Sequence, residues 1–84
     1  MKNEILIYVH VPSREKPDEL EVPGDITAID LIEALASIYR VPVDKERVYD
    51  YYLKMDRPKA LVRGNQKLSD TGMRNGSEVW FWNE

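Results

Sequence analysis

An α+β domain, built as a mixed sheet of four to five strands packed on one main helix with a short helical turn before the last strand, is what this sequence predicts. Three observations carry that expectation. The N-terminal stretch alternates apolar and polar residues with period two, a middle stretch repeats apolar residues at three- and four-residue steps, and the last third holds two short apolar runs set off by Gly and Asn. Eighty-four residues suffice for one domain over 1–84 with one modest core.

In the first stretch Ile5, Ile7, Val9 and Val11 alternate with Leu6, Tyr8 and His10, so the odd positions are expected to face the core. The run Pro12–Pro17 reads as a hairpin loop, and Glu19–Val22 resumes the alternation as a second strand that sends Leu20 and Val22 inward. Pro23-Gly24-Asp25 stops it. Thr27 is then placed to cap a helix, with Asp30 at the third helical position completing a shortened capping box and Ile26 packing on Leu31 as a staple. The helix is expected from Ala28 to Tyr39, with Ala28, Leu31, Leu35 and Ile38 on one face and Ile29 and Ile32 widening it. Val41 precedes Pro42, which disfavours helical geometry and ends the helix.

The pattern assigns no structure to the charged connector Val43–Val48. Asp50–Met55 reads as a third strand with Tyr51 and Leu53 on one face and Tyr52 and Lys54 on the other. Asp56-Arg57-Pro58 turns it into a fourth, Ala60–Arg63, ended by Gly64-Asn65. Ser69 is placed to cap a short helical turn, from which Gly72 supplies a positive-φ exit. Asn75-Gly76 then leads into the last strand, Val79–Trp82. A right-handed crossover would set the first and last strands side by side and parallel in the middle of the sheet.

Composition excludes several function classes. There is no cysteine, hence no disulfide framework, thiolate metal site or cysteine nucleophile. The N-terminus lacks a long apolar run, so neither a signal peptide nor a membrane span is expected, and the expected address is cytoplasmic. The net charge of −3 offers no bulk attraction to nucleic acid. Its distribution is uneven: residues 1–50 carry 6 basic and 11 acidic side chains, residues 51–84 carry 6 basic and 4 acidic. Arg57, Lys59, Arg63, Lys67 and Arg74 make the second part positive, which would steer a partner bearing acidic groups.

The order strand, strand, helix, strand, strand, turn, strand is that of the β-grasp fold, and the chain resembles the ubiquitin-like proteins over nearly its whole length. The segments that carry the resemblance are LEVPGDITAIDLIEALASI and ALVRGNQKLSDTGMRNGSEVWFW. Within that superfamily the chain is most similar to the YukD-like proteins of bacterial WXG-type (type VII) secretion systems. The shared pattern is P-K-A followed by an apolar residue, R-G-N, and a turn like S-D-T-G-M-R-N-G. Ubiquitin and the related sulfur carriers act through an exposed C-terminal Gly-Gly, whereas this sequence ends Trp80-Phe81-Trp82-Asn83-Glu84, so conjugation and sulfur carriage are not expected. A small subunit of a larger enzyme complex, or a modifier whose tail is completed elsewhere, stays open.

Catalysis finds no support in the residues. The one histidine, His10, is expected as an isolated surface side chain, and nucleophilic catalysis needs an activated group beside a base. The carboxylates show no metal-ligand spacing, the glycines form no phosphate loop, and no cofactor is expected. The positive signal is aromatic. By the family pattern Val79 and Phe81 enter the core, which leaves Trp80 and Trp82 on the open face of the sheet. Leu61 falls on the strand position that carries ubiquitin's main recognition patch. A protein-binding surface of Leu61, Trp80 and Trp82, with Tyr8 and Arg63 at its rim and Leu6 beside Tyr8, is therefore expected, since large aromatics and Arg dominate interface hot spots. Two other arrangements remain open, one with the tryptophans stacked on each other and on Tyr8, the other with a reversed register that makes both core. Self-association through the sheet is open as well.

Overall fold

The computed structural model describes residues 4–12 and 14–81. The strands are β1 (Glu4–His10), β2 (Asp18–Pro23), β3 (Leu53–Asp56), β4 (Ala60–Val62) and β5 (Glu78–Phe81), and the helix α1 spans Ala28–Tyr39. They form a five-stranded sheet in the order β2-β1-β5-β3-β4. β1 and β5 are parallel at its centre, and the other pairings are antiparallel. This is the ubiquitin-like β-grasp arrangement, with one main helix and a short 3-10 turn, Leu68–Thr71, ahead of the last strand.

Strand alternation decides what the helix covers. Ile5, Ile7 and Val9 of β1, Leu53 and Met55 of β3, Val62 of β4, and Val79 and Phe81 of β5 are all buried in one core with Ala28, Leu31, Ile32, Leu35 and Ala36 of α1. Among the described residues no helix packs on the opposite face of the sheet. Val22 is buried in β2, while Leu20 packs on the core from its margin.

Local chemistry starts and stops the helix. Thr27 Oγ1 accepts from the Asp30 N–H at 3.2 Å while Asp30 Oδ2 accepts from the Thr27 N–H at 3.1 Å, so the capping box is formed. Two more N–H groups of the first turn, which have no partner inside the helix, donate to the loop after β4: Ala28 to the Gln66 carbonyl at 2.8 Å and Ile29 to the Gly64 carbonyl at 3.1 Å. The carbonyls of Gly64 and Gln66 thus latch the helix start to the sheet edge. At the other end Arg40 adopts the left-handed conformation, and the Val41 N–H donates to the Ala36 carbonyl.

Three local expectations need correction. Ile38, placed on the buried stripe by spacing, is 55% exposed. In the last turn of α1 the place against the core is taken by Tyr39, whose ring lies 6.5 Å from Phe81 of β5. The third strand begins at Leu53 rather than Asp50, because Lys45–Asp50 forms a 3-10 segment capped by the Asp44 carboxylate on the Glu46 N–H. Leu53 and Met55 are its inward pair, on the face that alternation shares with Tyr51. Ser69 does not cap the second 3-10 turn. Lys67 holds the cap position without a side-chain bond, and the Thr71 hydroxyl closes the turn on the Leu68 carbonyl at 2.6 Å. Gly72 leaves that turn at φ +89°, as its position predicts.

The turn before β5 fixes its register on β1. Asn75 Oδ1 accepts from the Leu6 N–H at 2.8 Å, the Gly76 N–H donates to the Leu6 carbonyl at 2.8 Å, and the Tyr8 N–H donates to the Ser77 carbonyl at 3.0 Å. The buried Ser77 hydroxyl donates to the Arg57 carbonyl at 2.7 Å and accepts from the Arg74 N–H at 3.0 Å, joining the β3–β4 turn to the β5 approach. These bonds decide which residue of β5 stands beside which residue of β1, and through it the make-up of the open face.

Candidate functional site

The open face of the sheet is a grid set by register. Cα partners run Leu61 to Lys54, Lys54 to Trp80 and Trp80 to His10, so one row crosses β4, β3, β5 and β1. The next row holds Asp56, Glu78, Tyr8 and Glu19, and the third pairs Leu6 with Glu21. Neighbours in a row stand about 4.8 Å apart, because that is the spacing of hydrogen-bonded strands. The face therefore carries an apolar and aromatic row beside an acidic one.

Leu61 is 54% exposed, and Trp80, Tyr8 and Leu6 are each half-buried. Leu61 and Trp80, separated in sequence by the second 3-10 turn, flank Lys54 and form the walls of a groove of about 620 Å³. Met55, Asp56, Lys59 and Ala60 complete its lining. Tyr8 stands one row away between Glu19 and Glu78, and Arg63 is exposed just beyond β4; neither lines the groove. Trp82, the remaining residue of the expected patch, lies outside the described residues.

Expected as an isolated side chain, His10 is instead engaged twice. Its ring stacks on Trp80 with centroids 4.5 Å apart and planes within 8°. Its Nε2 lies 2.8 Å from Glu78 Oε1, and since a carboxylate offers only lone pairs, Nε2 carries the proton of that bond. Trp80 therefore has His10, not Tyr8, as its stacking partner. Such aromatic contacts contribute about 0.5–1.5 kcal/mol beyond the area they bury. Sequence reasoning took His10 for an isolated surface residue and did not single out Lys54 or Glu78. The signal was in the alternation, which sets all three outward, but only the parallel β1–β5 register brings His10 beside Trp80.

A second polar cluster closes the edge. The Tyr39 hydroxyl at the end of α1 donates to Asp18 Oδ2 at 2.7 Å, and Arg14 lies over the Tyr39 ring at 5.6 Å and 3.7 Å from the same carboxylate. Burial, the bond to Asp18 and the charge of that carboxylate together push the Tyr39 phenol up to about 12, with Arg14 opposing. This cluster ties the β1–β2 loop to the helix. Among the described residues no group of three or more His, Cys, Asp or Glu converges as a metal site would require, and no helix is long and apolar enough to cross a membrane.

No family model and no curated protein matches the chain. Solved structures do. The N-terminal ubiquitin-like domain of the 4931431F19Rik protein aligns with a TM-score of 0.75 at 15% identity, covering all of this chain and 78% of that one. A ubiquitin-like domain of tubulin-binding cofactor B aligns at 0.72 and 19% identity, covering 95% and 89%. Ubiquitin of Caldiarchaeum subterraneum aligns at 0.65 and 14% identity, covering 92% and 89%. Identities this low speak to the fold, and the fold these structures share with the chain is that of a ubiquitin-like domain.

Proposed function

We propose that this chain is a non-catalytic ubiquitin-like module that binds a protein partner through the open face of its sheet, with Leu61 and Trp80 as anchors. The observation that carries the reading is the groove between them. A leucine more than half exposed and a half-buried tryptophan leave apolar area that a small domain gains by covering, and the lysines beside it steer acidic groups of a partner. Tyr8 and Arg63 flank this centre at its rim, and Trp82 is proposed as a further residue of the surface. Aromatic anchors set in a groove are the usual seat of interface hot spots.

Within this reading the partner is a component of a WXG-type (type VII) secretion machinery, and the module works in the cytoplasm as an accessory or regulatory part. The support is the resemblance of P-K-A, R-G-N and S-D-T-G-M-R-N-G to the YukD-like pattern.

Affinity capture from native lysate tests both levels. Wild type, Leu61→Ala, Trp80→Ala and Ile38→Ala are compared after circular dichroism shows each folded. Capture is expected to fall more than ten-fold for the first two substitutions and to persist for Ile38→Ala, which alters the helix side. Loss with Ile38→Ala alone would move the interface to the helix. A captured protein outside any secretion machinery would retire the finer reading and leave the module reading standing.

A further inference from the structure

Trp80 is a wall shared by two hollows. On one side lies the groove with Leu61, and on the other a smaller hollow of about 230 Å³ lined by His10, Val11, Pro12, Arg14, Trp80 and Phe81. An indole on a sheet face is free to lean toward either side unless something holds it. Here something does. His10 and Trp80 are direct partners across the parallel strands, so their rings rise from the sheet at about the inter-strand spacing, and the near-zero interplanar angle leaves the indole no room to tilt toward β1. The imidazole is itself fixed by Glu78, the residue two positions before Trp80 on the same strand. Glu78 thus anchors His10, and His10 props Trp80.

We infer that His10 and Glu78 are positioning residues that hold Trp80 upright as the wall of the Leu61 groove and so set its width and the breadth of apolar group it accepts. The inference rests on the groove being the binding surface. Without the prop the indole leans over the smaller hollow, and the Leu61 groove opens into a shallow slope with no second wall. The groups facing His10 from neighbouring elements are Glu78 and Trp80 of β5, with Arg14 of the β1–β2 loop across the smaller hollow. Of these, Glu78 and Trp80 are the ones that contact its ring.

The test reads the prop and the groove separately. In a Trp82→Phe background, Trp80 is the sole tryptophan, and acrylamide quenching of its fluorescence reports how firmly it is covered. The probe for the groove is 1-anilinonaphthalene-8-sulfonate, whose apolar rings suit Leu61 and Trp80 and whose sulfonate suits Lys54 and Lys59. His10→Ala is expected to raise the quenching constant at least two-fold and weaken probe binding at least three-fold. Glu78→Gln, which keeps an acceptor oxygen for Nε2, is expected to retain most of both, and Glu78→Ala to behave like His10→Ala. Leu61→Ala is expected to weaken the probe without changing the quenching. In wild type, nuclear Overhauser contacts between the His10 and Trp80 rings are expected whether or not any variant folds.

Unchanged quenching in His10→Ala, or absent ring contacts in wild type, would overturn the prop. Raised quenching with unchanged probe binding would overturn its role in shaping the groove. If Leu61→Ala also left the probe bound, the reading that has failed would be the groove itself.

Discussion

Trp80 and Phe81 are adjacent in the last strand and face opposite ways, so truncating each in turn tests the register on which the open face depends. Phe81 is 3% exposed, buried in the core cluster and 6.5 Å from the Tyr39 ring. Replacing it with Ala removes a buried aromatic ring and leaves a cavity, which costs about 3–5 kcal/mol. Trp80 is half-buried and its main loss is the stack on His10, so Trp80→Ala should cost about 1–2 kcal/mol. A domain of this size has a total stability of about 4–13 kcal/mol. The first substitution therefore takes a large share of it and the second a small one. Urea unfolding followed by far-ultraviolet circular dichroism, which does not depend on the tryptophan signal, measures both. The slope with urea should be unchanged in Trp80→Ala. Equal losses, or a larger loss for Trp80→Ala, would mean that the tryptophan is a core residue and would refute the grid of outward side chains.

Four further substitutions probe the frame that holds this face. Gly72 and Gly76 have φ of +89° and +92°, but a Cβ at Gly72 would lie 2.9 Å from Pro58 Cγ, whereas one at Gly76 meets nothing within 4 Å. Both changes to Ala incur backbone strain of about 1–2 kcal/mol. Gly72→Ala adds a clash with a rigid ring, so its melting temperature should fall below that of Gly76→Ala by several degrees, at about 4–8 °C per kcal/mol; equal melting temperatures would remove the clash from the explanation. Thr27→Ala breaks half of the capping box and should cost about 1 kcal/mol in chemical denaturation, and no loss would show that the loop bonds from Ala28 and Ile29 hold the helix start by themselves. The Tyr39 phenol ionises at about 12 in the folded protein against about 10 when unfolded. Its contribution is intact below about pH 10 and is lost as pH rises from there through about 12. Tyr39→Phe should flatten the fall in stability between pH 9 and 11.5, and an identical slope in the two proteins would show that burial and the Asp18 bond do not hold this phenol protonated.

Where pattern and packing are the same physics, the sequence was a sufficient guide. The alternation Ile5, Ile7, Val9 is the buried face of β1, the capping box at Thr27 and Asp30 forms as its spacing suggests, and Val79 and Phe81 are inward as the ubiquitin-like pattern assigns. Departures occur where a side chain's fate depends on something distant. Ile38 has the spacing of a core residue, but in the last turn it is its neighbour Tyr39 that packs on the core beside Phe81, which leaves Ile38 outside. Tyr51 and Tyr52 have strand propensity, but the cap that Asp44 offers to the Glu46 N–H draws the preceding chain through Asp50 into a 3-10 segment, and the strand begins only at Leu53. His10 is the most instructive. On its own strand it is one more outward polar residue, and its contact with Trp80 exists only through a pairing between residues 70 positions apart in sequence. Alternation says which face a residue takes; register says whom it meets there. Leu61 and Trp80 could be named in advance because the ubiquitin-like pattern sets each outward on its own strand, whereas Lys54 between them required the order of β3, β4 and β5.

The binding face itself is best tested by amide-resolved nuclear magnetic resonance of the isotopically labelled domain, free and bound to its captured partner. Shifts concentrated along the row Leu61, Lys54, Trp80 and His10, with Glu33, Ser37 and Ile38 on the helix unmoved, are the predicted result. Shifts confined to the outer side of the helix, with that row unmoved, would contradict the assignment of the open sheet face as the site of recognition.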